Sequence, residues 1–449
     1  MNFEILSQDG LDWRAVIRGV SDSLTIRSND GLMSFRIRQW RRLLQENAGG
    51  QLRVEVLEKR KDGWYAYQPF MMHISEDEID PYIAYRLIPP GYSLWREMSI
   101  RQRNLETFRE KTIYSNTQGK GNCVNCHSFC DRDPDRMLFH MRAELAGTYI
   151  FRDGMQEKLD TKTEQTISAL VYPYWHPSGN FVAFSVNRTN QFLHTIDPNR
   201  IEVFDEASDV VVYDIDNHKI VTAEHLSSDA YFETFPTFSP DGKSLYFCSS
   251  TAVEPMPENY RDVRYSLCRV DFNPQDCTFG TVTDTLYNAL LQGGSVSFPR
   301  ISPDGRFMVF TLGGYGNFSI WHKDADLYIV DLLDGTSERM EALNSTDVES
   351  YHSWSSDSRW LVFSSRRDDG LYTKPYISYI DSSGKACKPF LLPQKDPREF
   401  YASQMFSYNI PEFVSGKIEL DGRQIADFAA ESEGIKISSK EYGEKCNQI

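Results

Sequence analysis

Residues 235–248 read Phe-Pro-Thr-Phe-Ser-Pro-Asp-Gly-Lys-Ser-Leu-Tyr-Phe-Cys, and residues 298–311 read Phe-Pro-Arg-Ile-Ser-Pro-Asp-Gly-Arg-Phe-Met-Val-Phe-Thr. Each is a short apolar run, a Ser-Pro-Asp-Gly turn and a second apolar run. Proline presets the turn backbone and glycine takes the positive φ that closes it, so each stretch predicts strand, turn, strand. Two weaker copies begin at 172 and 351, so that successive starts are 63, 63 and 53 residues apart. The copy at 172 has Ser178 in place of the aspartate, and the copy at 351 lacks both the proline and the glycine. A period of this length marks a repeated supersecondary unit. A third strand follows in each unit, at 209–213, 265–270, 326–330 and 376–380, and a weaker fourth closes it, as at 281–286. Four strands per repeated unit is the pattern of a β-propeller blade.

Flanking segments at 138–159 and 406–420 supply two more candidate blades, giving about six. The Ser-Pro-Asp-Gly-x-x-hydrophobic-x-Phe string, complete at Ser239 to Phe247 and Ser302 to Phe310, resembles that of the TolB-like propeller family over roughly residues 165–395. The resemblance implies a fold and little about activity.

Outside the repeats the texture changes. Alternating segments at 24–26, 34–37, 52–57 and 64–67, separated by Asp-Gly or Gly-Gly turns, predict a small β-sandwich-like domain over 1–75. Residues 39–46 have the spacing of a short amphipathic helix. A connector over 76–134 carries a charged segment, 95–111, with helical spacing. The propeller is expected over 135–420. Residues 421–449, rich in Glu, Ser, Lys and Gly, predict a flexible tail. The whole order resembles cell-envelope proteins that are TolB-like or cytochrome-c-related. Their mature chains follow a signal peptide or a lipid anchor, which implies periplasmic or cell-surface localisation and protein partners in the envelope.

Within the connector, Cys123, Cys126 and His127 form a C-x-x-C-H string, the attachment signal for c-type haem. Two thiols three positions apart can each bond one vinyl group of the same porphyrin, and the adjacent histidine then ligates the iron. With 8 Cys and 9 His in 449 residues, chance would place roughly 0.003 copies of this string. The expectation is covalent haem c with His127 as proximal ligand and His140 or Met141 as the sixth, serving electron transfer or redox-linked partner binding. Zinc on Cys123, Cys126, Cys130 and His140, a redox pair and a disulfide remain open alternatives. With them stands a second functional reading, a non-enzymatic scaffold that binds protein or glycan.

Loops before the innermost strands, and those joining second to third strands, share one mouth of a propeller. This places Glu233, Glu349, His352, Arg366 and Arg367 together as candidate ligand-binding residues. Insertions at 188–208, 251–264 and 313–325 project there and add His194, Asp197, Trp321, His322 and Lys323. Composition narrows the function classes. A net charge of −16 argues against nucleic acid and against electrostatic docking on anionic lipid. No run of 18 apolar residues is present, so no membrane-spanning helix is expected. No G-x-S-x-G or H-E-x-x-H string occurs, so the chain is not expected to be a hydrolase of those kinds.

Overall fold

The computed structural model describes residues 2–5, 12–89, 97–162 and 166–439. The chain divides into two units. The first comprises 1–79, 105–109 and 390–405, and the second comprises 80–104, 110–389 and 406–449.

In the first unit, Asp12–Arg18 alternates buried and half-buried residues, the period of a strand with one covered face. It pairs antiparallel with Ser23–Ser28 and with Gln51–Arg60, which in turn pairs with Gly63–Ala66 and Phe70–His73. The predicted helix forms, over Ile37–Glu46, and buries Trp40 and Leu43. These meet Trp13, Ala15, Ile17, Leu52 and Val54 in one core. The unit is therefore one main sheet and a helix, not two facing sheets, because the helix supplies the apolar surface that a second sheet would have provided.

The second unit is mainly β and propeller-like. Six antiparallel sheets follow one another, with inner strands Ser407–Val414, Val124–Phe129, Leu170–Trp175, Tyr231–Phe238, Ser295–Ile301 and Glu349–Trp354. Each inner strand lies against the next, and Ser407–Val414 touches both Glu349–Trp354 and Val124–Phe129, so the ring closes. The two Ser-Pro-Asp-Gly turns occupy equivalent positions, each joining an inner strand to the second strand of its sheet. In both, the serine hydroxyl donates to the aspartate and accepts the amide of the next strand's first residue, as in Ser244 N to Ser239 Oγ at 3.0 Å. The copy at 351 keeps this turn without glycine, with Ser358 at φ 64°.

Three expectations fail here. The charged segment is not an α-helix over its described residues, 97–111, and the helix in the connector is limited to the single turns Asn116–Gln118 and Cys130–Arg132. Tyr82–Ile88, Ser99–Asn104 and Glu110–Ser115 are the outer strands of the first sheet, whose inner strand is Ser407–Val414. The charged segment misled because its polar groups are answered within the fold: Arg101 pairs with Glu110 at 2.5 Å, and Gln102, 2% exposed, donates to Ile418 O at 2.6 Å and accepts from Ile418 N at 3.0 Å. The propeller-like ring therefore begins near residue 82, not 135. The tail to 439 is held as well. Gly422–Glu431 is a helix burying Ile425, Ala426 and Ala429, and Ile435–Lys436 and Ser438–Ser439 add parallel edge strands to the second and third sheets. Residues 440–449 lie outside the described residues.

One backbone device repeats in all six inner strands. Each has a bulge in its pairing with its neighbour. Inside each bulge sits a non-glycine residue at φ between 48° and 52°: Cys126, Tyr172, Phe235, Phe298, Tyr351 and Ile410. A bulge re-aims the extra side chain, here to the centre of the ring. Phe235 stands 4.1 Å from Phe298 and 4.5 Å from Tyr172, and Phe298 stands 4.6 Å from Tyr351. Tyr172 reaches Phe298 at 6.1 Å although their sheets are not neighbours, which only axial side chains can do. A positive φ costs a residue with a Cβ about 1–2 kcal/mol; the packing of these rings offsets it.

Candidate functional site

The C-x-x-C-H string is not a loop. Cys126 is the second sheet's copy of the axial bulge, and Cys126-His127-Ser128-Phe129 falls in register with Tyr351-His352-Ser353-Trp354. Cys126 is 7% and His127 2% exposed. Burial raises the Cys126 thiol above the ordinary cysteine range, which disfavours the thiolate that nucleophilic and metal chemistry need. Burial, then the positive charge of Arg86, push the His127 imidazole down to about 3, opposed by the nearby Ile410 backbone. Both ring nitrogens are shut off from solvent, and the ring edges onto Phe129 at 6.1 Å. A haem needs both thiols on one open edge and the imidazole facing an open slot. The string as folded supplies neither, so these residues do not fit the group.

The expected sixth ligands are split between faces. His140 pairs across the strand with Asn125, and Met141 with Val124. His140 Nδ1 meets Thr148 Oγ1 at 2.7 Å, and its ring lies 5.9 Å from Phe184 of the third sheet. His127 and Met141 face the other way, toward the first sheet: Met141 packs with Ala84, Val124 and Phe129. The zinc set is not assembled. Cys130 packs with Leu138 and Trp175 on the third-sheet side, its thiol donating to His176 O at 3.7 Å. Among the described residues no three His, Cys, Asp or Glu side chains converge to hold a metal.

The insertions do converge at one end of the ring. Three acids of the 188–208 hairpin pin the other two insertions. Asp197 holds Arg261 at 2.6 Å. Glu202, 1% exposed, accepts from Tyr315 Oη at 2.5 Å and meets His322 Nε2 at 3.1 Å. Asp205 accepts from Tyr265 Oη at 3.0 Å and Asn317 Nδ2 at 2.5 Å. His322 is thus a structural partner of a buried carboxylate. Beside this scaffold lies a cavity of about 370 Å³, whose lining includes Asp197, Trp321, Lys323, Asp347, Arg366 and Asp369. The guanidinium of Arg366 stacks on Trp321, 3.3 Å from the ring centroid.

The remaining candidates are dispersed. Buried Glu349 and half-buried Arg367 form a pair at 3.0 Å. His352 lies past the bulge, where Nε2 donates to Val309 O at 2.8 Å. It lines a second cavity of about 320 Å³ at the turn end of the axis, with Tyr174, Arg300 and Glu412. Burial lifts the Glu412 carboxyl to about 8. Sequence reading missed Glu202, Asp205, Arg300 and Glu412, because only the folded register shows which charged residues of a strand turn inward.

Glu233 is 1% exposed with Oε2 unpartnered. Burial, then the Asp209 charge, lift its carboxyl from 4.5 to about 9. The folded chain therefore keeps a proton that the unfolded chain releases. This group's contribution to stability is full below pH 4.5 and falls as pH rises toward 9. Glu233→Gln is expected to match the parent closely at pH 4.5 and exceed it at pH 8 by roughly 4 kcal/mol in urea unfolding. An equal difference at both pH values would refute the assignment.

Taken together, the ring of sheets, the filled axis and the pinned insertions define a propeller-like protein with one built mouth. No protein-family model matches the chain, and no curated protein sequence matches it. Among solved structures it is similar to a hypothetical selenium-binding protein from Sulfolobus tokodaii, at 8% identity and TM-score 0.44 over 77% of this chain and 96% of that one. It is also similar to a putative 6-phosphogluconolactonase from Bacteroides uniformis, at 11% identity and TM-score 0.37 over 86% and 97%. Prolyl oligopeptidase B from Galerina marginata gives 9% identity and TM-score 0.38 over 70% and 45%.

Proposed function

We propose that this chain is a non-enzymatic binding propeller of the TolB-like kind, with its cysteine string a structural part of the second sheet. The observation that carries the reading is the register of Cys126 with Tyr172, Phe235, Phe298, Tyr351 and Ile410. The string reads as a haem signal, yet it occupies the place where five other strands put an axial filler. The pinned insertions and their cavity favour ligand capture at that end. The TolB-like turns and the cell-envelope resemblance support a periplasmic or surface location and a protein partner there. Among the described residues no helix is long and apolar enough to cross a membrane. Electron transfer through haem c would require the string to leave its strand and vacate the axis.

The test is an absorbance spectrum of protein purified from its native envelope, where haem ligation would be available. The expected result is no Soret band after denaturation and acid extraction. A covalent Soret band that is lost in a Cys123→Ala, Cys126→Ala variant would overturn the reading and restore the cytochrome.

A further inference from the structure

We propose that the cavity at the insertion end binds a small polyhydroxylated oxyanion, a sugar acid or sugar phosphate, with Arg366 as its anchor. This deepens the binding-propeller reading and rests on it. Arg366 is 4% exposed, lines the cavity, and has a buried Nε without a partner. Its side chain makes no ion pair within 4.0 Å among the described residues; its backbone amide is spent on Val348 O at 3.3 Å. Burial depresses the guanidinium to about 9, so it stays charged at neutral pH. Asp347 and Asp369 favour its charge through space only, and a buried charge without a hydrogen-bonded ion partner is costly unless something completes it.

The surrounding carboxylates do not complete it. Asp197 is committed to Arg261. Asp347 accepts the Val348 amide at 2.9 Å and faces Lys323 at 3.8 Å. Asp369 accepts the amides of Leu371 and Tyr372, both at 2.8 Å, and faces Lys374 at 3.5 Å. The lining carries three acids, Asp197, Asp347 and Asp369, and three bases, Arg200, Lys323 and Arg366; Arg366 is the buried cation among them that no ion pair engages.

Geometry narrows the ligand. Stacking on Trp321 fixes the plane of the guanidinium, so its in-plane N–H groups point in set directions, the arrangement that takes an oxyanion in bidentate fashion. Asp347 and Asp369 line the same space. They would repel a bare anion but can still accept hydroxyl donors, which selects an anion that also carries hydroxyls. A volume of about 370 Å³ lies at the small end of ligand sites. Ile196, 97% exposed on the rim, offers the ring an apolar contact.

The experiment is calorimetric titration of the full chain with D-glucuronate, D-glucose 6-phosphate, D-glucose and inorganic phosphate. One of the two anionic sugars is expected to bind at least tenfold tighter than glucose and than inorganic phosphate, and which one it is separates carboxylate from phosphate. Arg366→Gln should weaken that binding at least tenfold. Arg188→Gln, an exposed arginine paired with Glu206 outside the cavity, should not. If Arg366→Gln misfolds, Arg366→Lys, which keeps the charge but not the fork, should still lose severalfold. The parent's melting temperature should also rise with the anionic sugar and not with glucose. Glucose binding as tightly, neither anion binding, or undiminished affinity in the Arg366 variants would overturn the proposal. A covalent Soret band would instead sink the parent reading and leave this titration to be judged by itself.

Discussion

Glu349→Ala is expected to lower the unfolding free energy of the propeller-like unit by about 3–5 kcal/mol. Glu349 is 0% exposed. Its carboxylate accepts from Ser345 N at 2.9 Å, Ser345 Oγ at 2.6 Å, Ser365 Oγ at 2.8 Å and Arg367 Nη2 at 3.0 Å. Burial raises the carboxyl, while the serines and Arg367 hold it down. Removing it takes the acceptor from Ser345 N and Ser365 Oγ, turns Ser345 Oγ back on Asp347 O at 3.1 Å, and leaves the half-buried Arg367 guanidinium without its counter-ion. Replacing both partners, as Glu349→Leu with Arg367→Met, should recover most of the loss, because an apolar pair leaves no charge uncompensated. Urea unfolding followed by tryptophan fluorescence measures both. A loss below about 1 kcal/mol for the single variant, in the range of an exposed ion pair, would show that the pair does not hold this sheet together.

Phe298→Ala should cost about as much, 3–5 kcal/mol, through the cavity it leaves on the axis. The more telling result is the order of two variants. At an ordinary strand position glycine is worse than alanine by about 0.5–1 kcal/mol. At Phe298, with φ at 51°, glycine escapes the Cβ strain, so Phe298→Gly should be at least as stable as Phe298→Ala. Phe310, buried in the second strand of the same sheet, lies opposite the bulge but has no positive φ, so it should show the ordinary order. The same order at both sites would remove the strained axial ring from the account.

Four of the six sheets were legible from their Ser-Pro-Asp-Gly turns or remnants of them, because that turn needs particular residues at fixed offsets. The first sheet was legible only in its inner strand, Ser407–Val414, which lies in the segment 406–420 expected as a blade. Its strands come from 82–115 and 407–414, and no local pattern joins segments so far apart. The second sheet was legible in part from 138–159, but its inner strand hid behind a stronger signal. His127-Ser128-Phe129 matches His352-Ser353-Trp354 as His-Ser-aromatic, yet C-x-x-C-H carries the more specific association. The axial bulge itself left no mark in the sequence. Glycine would have announced a positive φ, and these six positions hold Cys, Tyr, Phe, Phe, Tyr and Ile. At the mouth, proximity of the insertions was legible from topology. Which charges were already paired, and that Arg366 was not, depended on side-chain geometry.

Closure of the ring by Ser407–Val414 sets an order of events during synthesis. Ile88 pairs with Ser407 and Tyr82 with Val414, so the strand Tyr82–Ile88 emerges long before its inner partner is made. At about 5–20 residues per second, that interval is on the order of tens of seconds. Throughout it, Tyr82–Ile88 presents an unpaired backbone edge and the side chains of Ile83, Ala84 and Leu87, all 4% exposed or less once the ring is complete. An open edge of this kind is a template for pairing with another chain. The nascent protein therefore passes through a vulnerable stage that its finished form conceals, and yield in the cell depends on how well that single edge is shielded until the last inner strand arrives.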